Sequence, residues 1–334
     1  MRTSDFDYLL DEALIARSPA VPRDSSRMMV VSKDNVEHRI FRDVLDYLRP
    51  GDSIVINSSK VIKSRILVEG KEIFLLKRLG KSEWNCMVYP GNFFRVGCSF
   101  KMGRVCGEVV KVLEDGTRNI VFENEDVLFE LGQIPFPPYI KGVGASPDDY
   151  QTVYAKSEGS VAAPTAGLHF TEDLLDRIRG AGVNVIDVVL HVGRGTFLPV
   201  YADDLKDHFM HSEDYYLSAD SAEKLNGTRV NGGKIVAVGT TSVRVLESSF
   251  VDGRFSESSG STNLFIYPQN YRWKAVDALI TNFHLPKSTL LMLVASFLEN
   301  KGFVDPVDEL LALYRDAMKE GYRFYSFGDA MLIF

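Results

Sequence analysis

The sequence predicts an α/β fold of the mixed α+β kind: a large α/β domain built from residues 1–60 and 151–334, with a small antiparallel β-barrel domain inserted at residues 61–150. Three observations predict it. With 334 residues and 45% hydrophobic content, the chain can bury two sizeable cores. From Arg65 to about Ile134, short apolar stretches (RILVEG, EIFLL, WNCMVY, EVVKVL, NIVFEN) are separated by turn pairs such as Glu69-Gly70, Pro90-Gly91 and Asp115-Gly116, the punctuation of antiparallel strands. In the second half, apolar runs alternate with polar loops and helix starts, the pattern of an open α/β sheet.

Taken in order, Asp43 to Pro50 reads as a short helix, and Gly51 turns it into the strand DSIVIN. The barrel strands follow. Pro135 to Tyr139 (PFPPY) reads as a stiff exit, because consecutive prolines favour extended backbone and cannot donate to a ladder. Thr171, followed by Glu172 and Asp173, caps a helix running to about Arg179 and stopped at Gly180 or Gly182. The strand VNVIDVVLHV returns and ends in His191. Next come KIVAVG and the loop Thr240 to Arg244, with Thr241 or Ser242 as the cap of the helix VRVLESS, then VDALI and the loop Thr281 to Thr289. Ser288 caps TLLMLVASFLEN, whose almost continuous apolar residues imply burial on most faces. Asp305 and Pro306 start VDELLALYRDAMKEG, proline being suited to a first helical turn. The closing YRFYSFGDAMLIF reads as a turn and strand docked on the core.

The balance of 38 basic against 45 acidic residues, a net charge of −7, argues against broad nonspecific affinity for nucleic acid. Local basic candidates are Lys60, Lys63, Arg65, Arg194, Arg244, Lys287, Arg315 and Arg323. The opening stretch is mixed in charge and has no long apolar core, so a cytoplasmic protein without membrane insertion is expected. Cys86, Cys98 and Cys106 are odd in number and lack zinc-site spacing, so reduced core or near-core residues are expected.

In open α/β sheets, loops at the carboxyl ends of strands converge on one crevice, and helix N-termini there offer N–H groups to anionic atoms. Four of the six histidines fall in or beside such loops: His169, His191, His211 and His284. Histidine titrates near neutral pH, so this clustering points to proton transfer. His208, His211 and Glu213 carry a metal-like spacing without a third nitrogen or sulfur ligand nearby, and no metal is expected. Gly193-Arg194-Gly195 is too short for a dinucleotide fingerprint, though it suits close backbone approach to a ligand.

The strings GSVAAPTAGLHFT, LHVGRGTF, MHSE, VAVGTTSVR, DALITNFHLPKSTLLMLV and YRFYSFGDAMLI, with DFDYLLDEALIARSP, RDSSRMMV and LRPGDSIVINSSKVIKSRI nearer the start, closely resemble the S-adenosylmethionine:tRNA ribosyltransferase-isomerase family of queuosine biosynthesis. The resemblance spans nearly the whole chain. Departures are Asn57-Ser58-Ser59-Lys60 in place of Asn-Asp-Thr-Lys, Lys63-Ser64 in place of Pro-Ala, and Arg194 in place of leucine. It implies transfer of the ribosyl portion of S-adenosylmethionine, consumed as co-substrate without a metal, to the aminomethyl group of a deazaguanine wobble base in the tRNA anticodon loop. Adenine and methionine leave, and a monomer does the work.

The resemblance does not itself assign the proton carriers; His169 is the first candidate for general base or acid, and His191, His211 and His284 are the next candidates for transferring protons or fixing ribose hydroxyls. Glu213 orients a histidine or offsets the sulfonium. Thr240, Thr241, Ser242 and Asn282 suit ribose, adenine or the methionine carboxylate, and Arg244 a carboxylate or phosphate. Thr165, Gly167, Gly193, Gly195 and Thr196 complete the substrate-binding set, and Phe170, Phe197, Phe283, Tyr322 and Phe324 are candidates for stacking on a base. Two other readings compete. A noncatalytic RNA-binding protein would keep the histidines as structural groups. A methyltransferase would need a glycine-rich loop after an early strand, which the sequence lacks.

Overall fold

The computed structural model describes residues 1–140, 145–193 and 200–334. The chain opens with the hairpin β1 (Arg27–Val31) and β2 (Val36–Ile40), a 3-10 helix over Phe41–Tyr47, β3 (Ser53–Asn57) and the short β4 (Ser59–Val61). The segment expected as a helix from Asp43 is thus the tighter 3-10 form and starts two residues earlier.

Six antiparallel strands follow: β5 (Arg65–Val68), β6 (Lys71–Gly80), β7 (Glu83–Tyr89), β8 (Ser99–Met102), β9 (Val105–Val112) and β10 (Arg118–Phe122), in the order β5-β6-β7-β10-β9-β8. They enclose their own core around Trp84, Phe94, Phe100, Phe122 and Leu128 of the helix α1 (Glu125–Leu131). A Cβ built on Gly103, in the β8–β9 turn, would lie 2.9 Å from Val68 Cγ1 at the end of β5, so the sheet curls until its two outer strands approach. They share no ladder, and the expected barrel is a curled half-barrel. Cys86 is buried in this core and Cys106 half-buried, but Cys98 is exposed, contrary to its expected near-core place, because it lies outside β8 in the turn leading into it.

After β11 (Ser157–Ser160), which pairs with β4, come α2 (Glu172–Gly180), β12 (Asn184–Leu190), β13 (Glu213–Leu217), α3 (Ala219–Val230), β14 (Ile235–Val238) and α4 (Gly239–Ser249). The hairpin β15 (Phe250–Val251) and β16 (Arg254–Phe255) leads to β17 (Ser258–Thr262), β18 (Ala278–Asn282), α5 (Thr289–Asn300), α6 (Pro306–Lys319) and β19 (Ala330–Ile333). Nine of these strands form one sheet in the order β17-β13-β12-β3-β14-β18-β19-β1-β2. Every residue of β3, β14 and β18 is buried, as apolar parallel strands covered on both faces require. Alternate residues serve the two faces. Ile54, Ile56, Val236 and Ile280 pack with α2 and Phe41, while Val55, Ala237 and Leu279 pack with the apolar faces of α3, α4, α5 and α6.

Thr171 caps α2, accepting from Leu174 N, and Ser288 caps α5, accepting from Leu291 N, both as expected. Among the described residues, no helix is long and apolar enough to cross a membrane.

Candidate functional site

β3, β12, β14 and β18 run parallel, so their carboxyl ends at Asn57, Leu190, Val238 and Asn282 share one edge of the sheet. β13 and β19 run the other way and bring Glu213 and Ala330 to that same edge. β3 lies between β12 and β14, and after β12 the chain crosses past β3 to reach β14. A crevice belongs outside the carboxyl ends at such a switch point. Asn57 fixes the point: its Nδ2 donates to Leu190 O at 3.0 Å, and its Oδ1 accepts from Leu190 N at 3.0 Å and Ser59 N at 3.1 Å.

A 3-10 helix over Thr165–His169 lies across this edge, packed on β18 and on the start of α4. A Cβ on Gly239 would stand 3.4 Å from Ala166 Cβ, and one on Gly167 only 1.9 Å from Tyr154 Oη. Only glycine permits that approach at residue 167. The Thr165–His169 segment therefore meets the ends from which the loops Thr240–Arg244 and Thr281–Thr289 start. The capping of α4 differs from expectation: its N-cap is Val238, with no side-chain cap. Ser242 Oγ instead donates back to Val238 O at 2.7 Å, which removes it from the substrate-facing set. Thr240 is buried, and Thr241 Oγ1 is buried with no partner.

His169 is buried, with Nδ1 2.8 Å from Ser26 Oγ and its ring stacked on Phe41 at 4.8 Å and 26°. Burial pulls its pKa down to about 4, opposed by the Asp329 carboxylate and by a hydrogen bond to the Asn282 side chain. Its Nε2 has no partner of full hydrogen-bond geometry, and neither has Asn282 Oδ1. His191 is half-buried at the end of β12, its ring against Gly159, where a Cβ would lie 2.9 Å from Nδ1. Burial lowers its pKa, with Asp214 opposing, and its Nδ1 is also unpartnered. Both imidazoles are therefore neutral near pH 7.

The other candidates are placed differently. His284 is buried, its Nε2 2.7 Å from Thr281 Oγ1, its backbone N–H donating to Tyr314 Oη at 2.9 Å and its carbonyl accepting from Tyr8 Oη. Burial takes its pKa down to about 3, and these partners make it a buttress of the Thr281–Thr289 loop, not a proton carrier. Glu213 orients no histidine: its Oε1 accepts from Gly193 N at 2.8 Å and its Oε2 pairs with Arg244. Arg244 also donates to Thr262 O at 2.9 Å and Leu264 O at 3.2 Å, so the guanidinium expected to meet a substrate anion is consumed internally. His211 is half-buried beside Phe209, 5.9 Å between ring centres. Thr165 and Gly193 line the edge half-buried, whereas Arg194, Gly195, Thr196 and Phe197 lie outside the described residues.

Phe170, Phe283, Tyr322 and Phe324 are wholly buried and cannot stack on a base. Among the described residues, Tyr201 and Phe209 are exposed rings in the segment entering β13. Lys60 pairs with Glu158 at 3.0 Å and Arg65 with Glu72 at 2.7 Å, so the basic segment expected to meet RNA is largely neutralised. Among the described residues, no group of three His, Cys, Asp or Glu is placed to hold a metal ion. Residues the sequence did not single out are Ser26, Phe41, Tyr154 and Asp329. Ser26 lay inside the RDSSRMMV string, but nothing local marks it as the partner of a histidine 143 positions away.

The fold is an α/β one in which a nine-stranded sheet is accompanied by a curled antiparallel sheet. Comparison with known proteins gives the family. A model described as queuosine biosynthesis protein matches residues 3–333, and the chain belongs to that family. It is 47% identical to the S-adenosylmethionine:tRNA ribosyltransferase-isomerase of Clostridioides difficile and 50% identical to that of Symbiobacterium thermophilum, each over 100% of both chains. A crystal structure of S-adenosylmethionine tRNA ribosyltransferase from Thermotoga maritima, 39% identical, matches with a TM-score of 0.58 over 99% of this chain and 100% of that one.

Proposed function

We propose that this chain transfers and isomerises the ribosyl portion of S-adenosylmethionine onto the aminomethyl group of a 7-deazaguanine at the tRNA wobble position, releasing adenine and methionine and leaving epoxyqueuosine in the tRNA. It acts as a cytoplasmic monomer on the anticodon loop. The observation that carries this reading is full-length identity of 47–50% to proteins named for that activity. The sheet edge is consistent with it: His169 Nε2, Thr241 Oγ1 and Asn282 Oδ1 make no hydrogen bond of full geometry within the protein.

The sulfonium acidifies the adjacent ribose carbon and makes methionine a neutral leaving group, so the protein must supply a base, hold the sugar and steer the amine. His191, the half-buried imidazole at the end of β12, is the candidate to accept a proton. His169 and Asn282 hold ribose hydroxyls, Thr240 and Thr241 face the nucleoside, and the Glu213–Arg244 pair fixes the Gly193 backbone. Tyr201 and Phe209 offer exposed faces to unstacked bases of the RNA loop.

The test is stoichiometric: purified protein given S-adenosylmethionine and precursor tRNA releases one free adenine per modified tRNA. Methylated RNA without adenine would falsify the reading.

A further inference from the structure

We propose that Ser26 is a positioning residue: its hydroxyl donates to His169 Nδ1, so the imidazole carries its own proton on Nε2 and presents a donor to the crevice. This rests on the reading of the crevice as the ribosyl-transfer site. A neutral imidazole has one N–H and one lone pair, and its two neighbours decide which nitrogen holds which. Ser26 Oγ, 2.8 Å from Nδ1, can donate or accept. Asn282 is not so free. Its Nδ2 is turned toward two carbonyls, donating to Tyr325 O at 3.0 Å and Ser326 O at 3.5 Å, which leaves Oδ1 as the atom available to the imidazole.

With the proton on Nδ1, the Nε2 lone pair and Asn282 Oδ1 would be two buried acceptors without a donor between them. With the proton on Nε2, a donor and an acceptor face each other instead, and Ser26 completes the ring's other side. Burying an unpaired acceptor is the costlier alternative. Phe41, stacked on the ring, holds its plane.

The chemical consequence is a division of labour. An Nε2–H imidazole cannot take a proton at that nitrogen; it donates to an oxygen, such as a ribose hydroxyl that arrives between it and Asn282. The lone pair needed for deprotonation must then come from another group of the site.

The test is nitrogen-15 NMR of histidine-labelled full-length protein at neutral pH, with His169→Gln identifying the signal, alongside turnover of Ser26→Ala and Ser26→Thr. The expected result is a protonated Nε2 and unprotonated Nδ1, a mixed tautomer in Ser26→Ala with turnover down by about tenfold or more, and recovery in Ser26→Thr, which keeps the hydroxyl. A proton on Nδ1 of the wild type overturns the inference whatever the activity. Full turnover in Ser26→Ala with His169→Gln inactive overturns the positioning role alone. Full turnover in both variants shows instead that His169 lies outside the active site, and the inference falls with that reading.

Discussion

His169 and His284 are kept neutral by the same cause, and that cause has a thermodynamic signature. Their pKa values in the folded protein are about 4 and about 3, below the ordinary 6.5, so between those limits the unfolded chain binds protons that the folded chain does not. Stability from these groups is complete above pH 6.5 and is lost as pH falls toward 4, each contributing roughly 3 kcal/mol over that window. Urea titrations across the window should show a shallower pH dependence in His284→Gln than in wild type; identical slopes would mean that His284 is not the buried group described. The Glu213–Arg244 pair, with side chains 6% and 5% exposed, makes a second prediction. Removing one partner strands a buried charge, so Glu213→Ala should cost about 3–5 kcal/mol, and Glu213→Ala with Arg244→Met should recover part of it. Denaturation midpoints of the two variants check this. At this scale the sequence was half legible. The loops holding His169 and His191 were recognisable from residue type, but Glu213 and Arg244, apart by 31 positions, gave no sign that each would consume the other.

Elements were more legible than residues wherever their signals are local. The caps Thr171 and Ser288 and the start at Asp305-Pro306 were readable because capping involves atoms within one helical turn. Ser288→Ala should accordingly cost about 1 kcal/mol in an equilibrium unfolding experiment. The start of α4 was misread because Gly239, at φ +82°, lets the helix begin directly at the strand end, and Thr241 and Ser242 are then already inside it. Gly167 shows how an element's function depends on what lies across it. An added methyl would meet Tyr154 Oη at 1.9 Å and Thr152 Cγ2 at 2.8 Å, so Gly167→Ala must displace the Thr165–His169 helix. Turnover is expected to fall by about tenfold or more, as for a misplacement of about 1 Å. Gly180→Ala, with nothing within 4 Å of the new carbon, serves as the neutral comparison. Equal turnover in both variants would remove that helix from the site.

Across the whole molecule, apolar side chains cluster on each face of the nine-stranded sheet, inside the curled sheet, and in a smaller group around Tyr150 and Phe327; Trp84 lies in the core of the curled sheet and Trp273 packs against one core of the large sheet. Trp84 is buried in the curled sheet, with Nε1 donating to Glu125 Oε1 at 2.5 Å. Trp273 packs on Phe297 at 4.7 Å against the core of the nine-stranded sheet. One link between the sheets is the Lys77–Asp214 ion pair, with side chains 52% and 39% exposed, and exposed pairs contribute little. The smaller core buries less apolar surface and should be the weaker unit. Trp273→Phe and Trp84→Phe make the emission report one core each. Urea unfolding followed by Trp84 is expected to precede that followed by Trp273, in departure from two-state behaviour. If it binds at the edge of the large sheet as proposed, saturating S-adenosylmethionine should move the Trp273 transition upward and leave the Trp84 transition in place, because ligand binding stabilises only the unit that holds it. Coincident transitions that shift together with the ligand would show one cooperative body and would refute the division into residues 1–60 with 151–334 and residues 61–150.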